Sequence, residues 1–544
     1  MQIISCIGIG FGLTINLLNN AVKGVKMNDS SNRSGRRSRA GRGQGNPIRA
    51  AIEQLDWRIP QYIDDPVEPV SEEDLNRIHD TSMRVLEEIG ILFLNDEALD
   101  YLEKAGCDVD HVTKNVKMDR GLVEKMIALA PAEFDIVPRN LDRTLTVGGR
   151  NLLYSTVASA PNVSDLDGGR RVGSRPDFQN LLRLNQYFNC LHFVAGYPVE
   201  PVDIHASIRH LDCVYDMLTL TDKVIHAYSL GSGRIEDGME MVRIAGGLTE
   251  SAFASKPRMF TNINSTSPLK HDWPMLDGAM RCAKKGQAVV ITPFTLSGAM
   301  APATVAGAIV QQNAEFLAGL VLMQQVRPHT PVVFGAFTSN VDMKSGSPAF
   351  GTPEYYRAMQ ISGQLARRYG LPWRGSVACA ANYPDGQAVW ESMASLQAVS
   401  SGHCNMVYHG AGWLEGGLCA SFEKLIMDCE MLQQQIYLNQ PLDMSDDALA
   451  FEAIKEVGPG SHFFGADHTQ RRFKDAFYAP FLSDWRNFET WEETGGLKTE
   501  ERANAIMKAI LAEYQPPPMD DAIQEELASY VERRKTDGGV ETDF

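Results

Sequence analysis

The chain has 544 residues, 44% hydrophobic and 22% charged, with a formal net charge of -17. That composition is globular, and the length can bury a large core without disulfide staples. The acidity argues against nucleic acid or an anionic membrane as the main partner. Nine cysteines without a Cys-x-x-Cys pair point to free thiols in a reducing, cytoplasmic compartment.

Residues 3–22 are mostly apolar but carry Asn16, Asn19 and Asn20, and no basic stretch precedes them. A secretory signal and a membrane span both fit poorly. Translation from Met27 is the expectation, with a signal or anchor, or a genuine extra helix, as the alternatives. Residues 1–50 read as a disordered basic leader, with six arginines between Arg33 and Arg49. Ser71-Glu-Glu-Asp74 offers an N-cap and an acidic first turn before an amphipathic run over 75–89. A short helix follows over 122–129, and 144–163 turns extended and small-residue rich, with a turn at Asp167-Gly168-Gly169.

From about residue 191 the pattern becomes a repeat of apolar run, loop and helical segment. The predicted strands are 192–196, 224–229, 259–264, 288–293, 332–338, 373–378, 406–410 and 461–465, with helices between them. Eight such units over about 280 residues predict an α/β fold of the (β/α)8 TIM-barrel type. An open doubly wound sheet is the competitor, and no Gly-x-Gly-x-x-Gly supports it. The expected layout is a helical and β extension over 51–190, the barrel over 191–470 and a helical C-terminal segment over 471–544.

Barrel chemistry sits on the loops after the strands. Here those loops are rich in small, hydroxyl- and amide-bearing residues, with an aromatic in several and few Lys or Arg. Such loops suit an apolar cation better than a phosphate. No phosphate-binding loop and no nucleophile elbow is present. His403-Cys404 with Cys419 and Cys429 lacks the spacing of a zinc site and reads as buried thiols. Ser461–His468 is read as a polar rim, so no metal is expected. Asp203-Ile-His205 lacks the glycine of the corrinoid-binding Asp-x-His-x-x-Gly motif, so any cobalamin must ride on another protein.

Six stretches occur in the order seen in the trimethylamine methyltransferase family. They are Asn264-Ser-Thr-Ser-Pro-Leu269, Met343-Lys-Ser-Gly-Ser-Pro-Ala-Phe-Gly351, Leu371-Pro-Trp-Arg-Gly375, Pro384-Asp-Gly-Gln387, Gly410-Ala-Gly-Trp-Leu-Glu-Gly416 and Gly458-Pro-Gly-Ser-His-Phe463. The chain resembles that family from about residue 71 to 505. The resemblance implies a TIM barrel that moves a methyl group from an amine to cob(I)alamin on a separate corrinoid protein, with no covalently bound group of its own. The family's founding members carry pyrrolysine in the loop after the sixth predicted strand. Here that loop reads Val377-Ala-Cys-Ala380. Trimethylamine must be made cationic before it can leave, whereas a quaternary ammonium already is, so the departure implies glycine betaine or a similar quaternary amine. Tyr154, Phe337 and Tyr408 are the expected cage walls, with Phe464 beside them. Asn262, Asn264 and His409 are expected to bind or orient the substrate, and Glu415 to offset its charge. His409 and Glu415 are the candidate catalytic residues. A lyase or hydrolase on the same barrel, or a non-catalytic betaine-binding protein, are the rival readings, and assembly into a homo-oligomer is left open.

Overall fold

The computed structural model describes residues 52–542. The expected leader, and the choice of Met27 as start, lie outside the described residues. At the centre is an eight-stranded parallel sheet closed on itself. In chain order the strands are β1 Leu153–Thr156, β2 Phe193–Val194, β3 Val224–Ile225, β4 Phe260–Ile263, β5 Ala288–Ile291, β6 Val332–Gly335, β7 Trp373–Ser376 and β8 Met406–Ala411. Each pairs in parallel with its chain neighbour, and β8 returns to β1 with Met406 opposite Leu153. A parallel bridge between His226 and Phe260 completes the gap between β3 and β4.

A helix follows every strand: α1 Arg175–Tyr187, α2 Arg209–Leu220, α3 Ser232–Ala245, α4 Trp273–Lys284, α5 Val305–Val326, α6 Pro353–Arg368, α7 Gly386–Ser401 and α8 Phe422–Leu438. The caps explain several boundaries. Thr352 accepts the Tyr355 N–H before α6, and Asp385 accepts the Gln387 and Ala388 N–H groups before α7. The (β/α)8 barrel expected from the alternation is therefore present. Helix α5 is the one helix among the described residues long and apolar enough to cross a membrane. It instead packs between the barrel and the N-terminal helix Glu72–Arg84, whose Ser82 hydroxyl donates to the Val310 carbonyl.

The set of strands differs from the predicted one at both ends. Leu153–Thr156, placed by sequence in the extension, is β1, so the barrel begins well before residue 191. Residues 461–465, expected as the eighth strand, form an exposed turn with a short 3-10 helix at Phe463–Gly465. The barrel interior holds one apolar cluster, with Phe193, Val224, Phe260, Val290, Val333 and Met406 among its members. Ile136, Leu145 and Val147 of the antiparallel pair Glu133–Ile136 and Leu145–Gly148 join that cluster and plug the N-terminal end. At the C-terminal side the chain returns along the outside. Helix Asp521–Thr536 is fastened to α2 and α3 by Lys535 on Asp212 and Arg534 on Asp237, both at 2.7 Å.

Candidate active site

The plugged end leaves one open end, and there a cavity of about 640 Å³ lies over the C-terminal ends of the strands. Its deep part is built by Asn262 and Asn264 after β4, Phe294 after β5, Phe337 after β6, Arg374 on β7, and Tyr408, His409 and Trp413 from β8 and its loop. Tyr197, Glu200, Arg209, Tyr228 and Arg234 surround the outer part.

Strand parity decides which side chains reach it. On β8, Met406 and Tyr408 face the lumen while Val407 packs outward, the two-residue period of any strand. The same rule turns Tyr154 out: Leu153 is inside, and Tyr154 is fully buried in the layer between strands and helices. Its N–H donates to His192 Nδ1 at 2.9 Å, and its ring does not line the cavity. Phe464 is also elsewhere, 54% exposed on the turn that replaces the expected strand. Glu415 stands just outside the cavity, its carboxylate held by Arg170 at 2.8 and 3.0 Å. The structure therefore gathers Asn262, Asn264, Phe337, Tyr408 and His409 at one place and leaves Tyr154, Phe464 and Glu415 apart.

The hydrogen bonds fix most of the polar groups. The Thr292 hydroxyl donates to Asn262 Oδ1 at 2.7 Å, and Asn262 Nδ2 donates to Asn264 Oδ1 at 3.0 Å. His226 Nδ1 lies 2.7 Å from the Ala195 carbonyl, so it carries the proton, and Nε2 accepts the Asn262 N–H at 3.0 Å. Burial pulls this imidazole down to about 4, so it is neutral at pH 7. His409, 3.1 Å from the Ser376 hydroxyl, is also held well below its ordinary value by burial and then by Arg374. Glu200, raised by burial, faces Arg209 at 3.5 Å. His210 at the border contacts Asp237 at 2.8 Å, but that carboxylate also receives Tyr530 and Arg534 and ties the C-terminal helix down. No described residue hydrogen-bonds its Nδ1, so the pair activates no nucleophile.

Residues 377–380 do not line the cavity. The loop is folded shut: Ala380 and Ala381 N–H groups both donate to Glu391 Oε2, and the Cys379 thiol donates to the Trp413 carbonyl at 3.0 Å. In return Trp413 Nε1 donates to the Cys379 carbonyl at 3.0 Å, which locks the indole beside His409. Gly417 permits this. At φ +103 it has no Cβ, and one would lie 2.6 Å from the Trp413 ring. Among the described residues no three His, Cys, Asp or Glu side chains are grouped to hold a metal. Cys404, Cys419 and Cys429 are each buried, with Cys404 accepting the Gly375 N–H at 2.9 Å.

The residue that sequence reasoning missed is Arg374. It is 3% exposed, with its guanidinium 4.2 Å from the centre of the Tyr408 ring and 5.3 Å from that of Phe337. The signal was its charge within a short strand segment between the apolar Leu371-Pro-Trp373 and Val377-Ala378, since Lys and Arg are rarely fully buried.

The family model described as trimethylamine methyltransferase (MTTB) matches residues 32–539. The chain belongs to that family. It is 37% identical to the glycine betaine methyltransferase of Desulfitobacterium hafniense strain Y51, over 87% of this chain and 98% of that one. It is 29% identical to the trimethylamine methyltransferase MttB of Desulfitobacterium hafniense strain DSM 10664 / DCB-2, over 86% and 94% of the two. The proline betaine:corrinoid methyltransferase of Eubacterium limosum is 28% identical, over 85% and 96%. The resemblance read from the six stretches is thus borne out across the chain.

Proposed function

We propose that this chain is a cytoplasmic methyltransferase that passes a methyl group from a quaternary amine, glycine betaine or a close relative, to the cob(I)alamin of a separate corrinoid protein. The supporting observation is the cavity's chemistry. Aromatic rings and neutral amides wall its deep part around Arg374, the imidazoles of His226 and His409 are neutral, and no carboxylic acid of the described residues stands there to protonate a leaving group. A quaternary ammonium needs none. The C–N bond breaks, its electron pair stays on nitrogen, and dimethylglycine leaves as a neutral amine while the methyl group goes to the acceptor. Two betaine methyltransferases among the relatives agree with this reading.

The corrinoid is a co-substrate and supplies the nucleophile. What the chain does is hold the ammonium dry and aimed at the mouth, where the small, partly exposed residues Ser159, Gly416 and Gly417 line the cavity. Positioning of this kind can contribute about 7–11 kcal/mol to the barrier. The closed loop over 377–380 offers no side chain to the cavity that could activate a tertiary amine covalently. The test is to supply cob(I)alamin with either amine and measure the demethylated product. Dimethylglycine from glycine betaine, with trimethylamine inert, is expected. Trimethylamine turnover with betaine inert would overturn the reading.

A further inference from the structure

The cavity floor contains a cation without a counterion. Arg374 Nε and Nη1 are buried and make no hydrogen bond, and no described carboxylate reaches the guanidinium. Its contacts are the ring faces of Tyr408 and Phe337. The Tyr408 hydroxyl is likewise buried and unpartnered. The two imidazoles nearby are both neutral and both feel Arg374. Of the cavity-lining residues only Glu200 is a carboxylate, and it is engaged with Arg209 at the outer end.

A buried guanidinium without a partner is costly, and an aromatic face compensates only in part. Such an arrangement becomes favourable when a ligand brings the missing anion. We propose that Arg374, with the Tyr408 hydroxyl, anchors a carboxylate of the substrate. The proposal rests on the reading of the chain as a quaternary-amine demethylase and narrows it. The enzyme takes betaines, which carry an anion at one end and an ammonium at the other, and rejects quaternary cations that lack the anion. The anchor also sets direction. With the carboxylate on the floor, the N-methyl groups point toward the mouth. A bare cation such as choline would bring like charge against Arg374 where little water screens it.

The test measures binding and demethylation of glycine betaine, choline and 3,3-dimethylbutanoate, which keeps the carboxylate and replaces nitrogen by carbon. In the wild type, betaine and 3,3-dimethylbutanoate bind and choline binds poorly. Arg374→Met weakens both carboxylates by about 100-fold or more, as expected when a buried charge loses its partner. Arg374→Lys recovers part of that loss. The ligand-free Arg374→Met protein is as stable as the wild type or more so, because an unpaired charge is gone. Should Arg374→Met fail to fold, the wild-type ranking of the three ligands together with the Arg374→Lys variant decides: an unchanged betaine Kd in Arg374→Lys, or choline binding as well as betaine, would overturn the proposal. Choline demethylated as well as betaine, or Arg374→Met binding betaine within about threefold of the wild type, would overturn the proposal. If neither amine is demethylated while the carboxylates still bind through Arg374, the anchor stands and the demethylase reading falls.

Discussion

Phe294→Leu separates the two things an aromatic wall can do for an ammonium ion. Phe294 is half-buried on the loop after β5, lines the cavity, and lies with its ring centre 4.9 Å from that of Phe337. Phe337 and Tyr408 already have the Arg374 guanidinium against them, so Phe294 is the freer ring to face a substrate cation. Leucine keeps most of the apolar volume and loses the π face. A desolvated cation gains about 2 kcal/mol from such a face, or about 30-fold in Kd. A ligand with an uncharged tert-butyl group in place of the ammonium loses only packing. Calorimetric titration with glycine betaine and with 3,3-dimethylbutanoate, for both proteins, closes a cycle in which the carboxylate contribution cancels. Betaine binding should weaken by about 30-fold and that of the carbon isostere, which lacks the ammonium charge, by about threefold or less. The denaturation midpoint checks the fold, since a hydrophobic exchange of this kind should cost under about 1.5 kcal/mol. Equal weakening of both ligands would show that Phe294 is only an apolar wall, and the cation–π argument would fail.

Two further outcomes follow from the geometry. Gly417→Ala places a Cβ against Trp413 in a backbone conformation that alanine resists, so kcat/KM for betaine should fall by about tenfold or more, with altered indole fluorescence; an unchanged variant would show that Gly417 does not set the indole. His192 and His226 are held by burial at about 3 and about 4 in the folded protein, below the unfolded value near 6.5. Between about pH 4 and 6.5 the unfolded chain binds more protons, so their contribution is complete above about pH 6.5 and falls on acidification by about 1.4 kcal/mol per pH unit for each histidine. The urea midpoint should drop between pH 7 and pH 5, and a constant midpoint would refute the assignment.

Seven of the eight barrel strands were legible because each is a short, largely buried run followed by a helix, most of them apolar, with β4 and β7 the polar exceptions. β1 escaped because its helix does not come next. The hairpin of Asn162–Asp165 and Gly169–Val172 is inserted between β1 and α1, so the alternation seemed to begin one unit late. Residues 461–465 then filled the vacancy on apolar character alone, although two phenylalanines between glycines suit an exposed turn equally well. In the site, the loops were legible because barrel geometry dictates where chemistry sits. Two kinds of information were not. Tyr154 needed the register of β1, which one residue of slip inverts. Arg374 lies within a strand, and attention to loop residues passes over a charge that reaches the cavity from the floor.

On the proposed reading, Arg374 bears on rate as well as affinity. Before transfer the proposed complex has three charges close together in the deep cavity, the guanidinium and the substrate carboxylate at the floor and the ammonium above them, for a net of about one positive charge. Afterwards the amine is neutral and the guanidinium and carboxylate balance. In a site with little water to screen it, the guanidinium therefore opposes the ammonium charge that the reaction removes, and that opposition eases as the C–N bond opens. The aromatic walls act in the other sense. They favour the cation, so they strengthen binding of the substrate more than of the transition state. The two groups should thus separate in kinetics: loss of the Phe294 ring acts mainly on KM, whereas loss of the Arg374 charge acts on kcat as well. A floor that only held the carboxylate could have been built from neutral donors such as the Asn262–Asn264 pair. A buried full charge adds a field that changes in the enzyme's favour along the reaction, which gives a physical reason for keeping an unpaired guanidinium inside the barrel of the ligand-free protein.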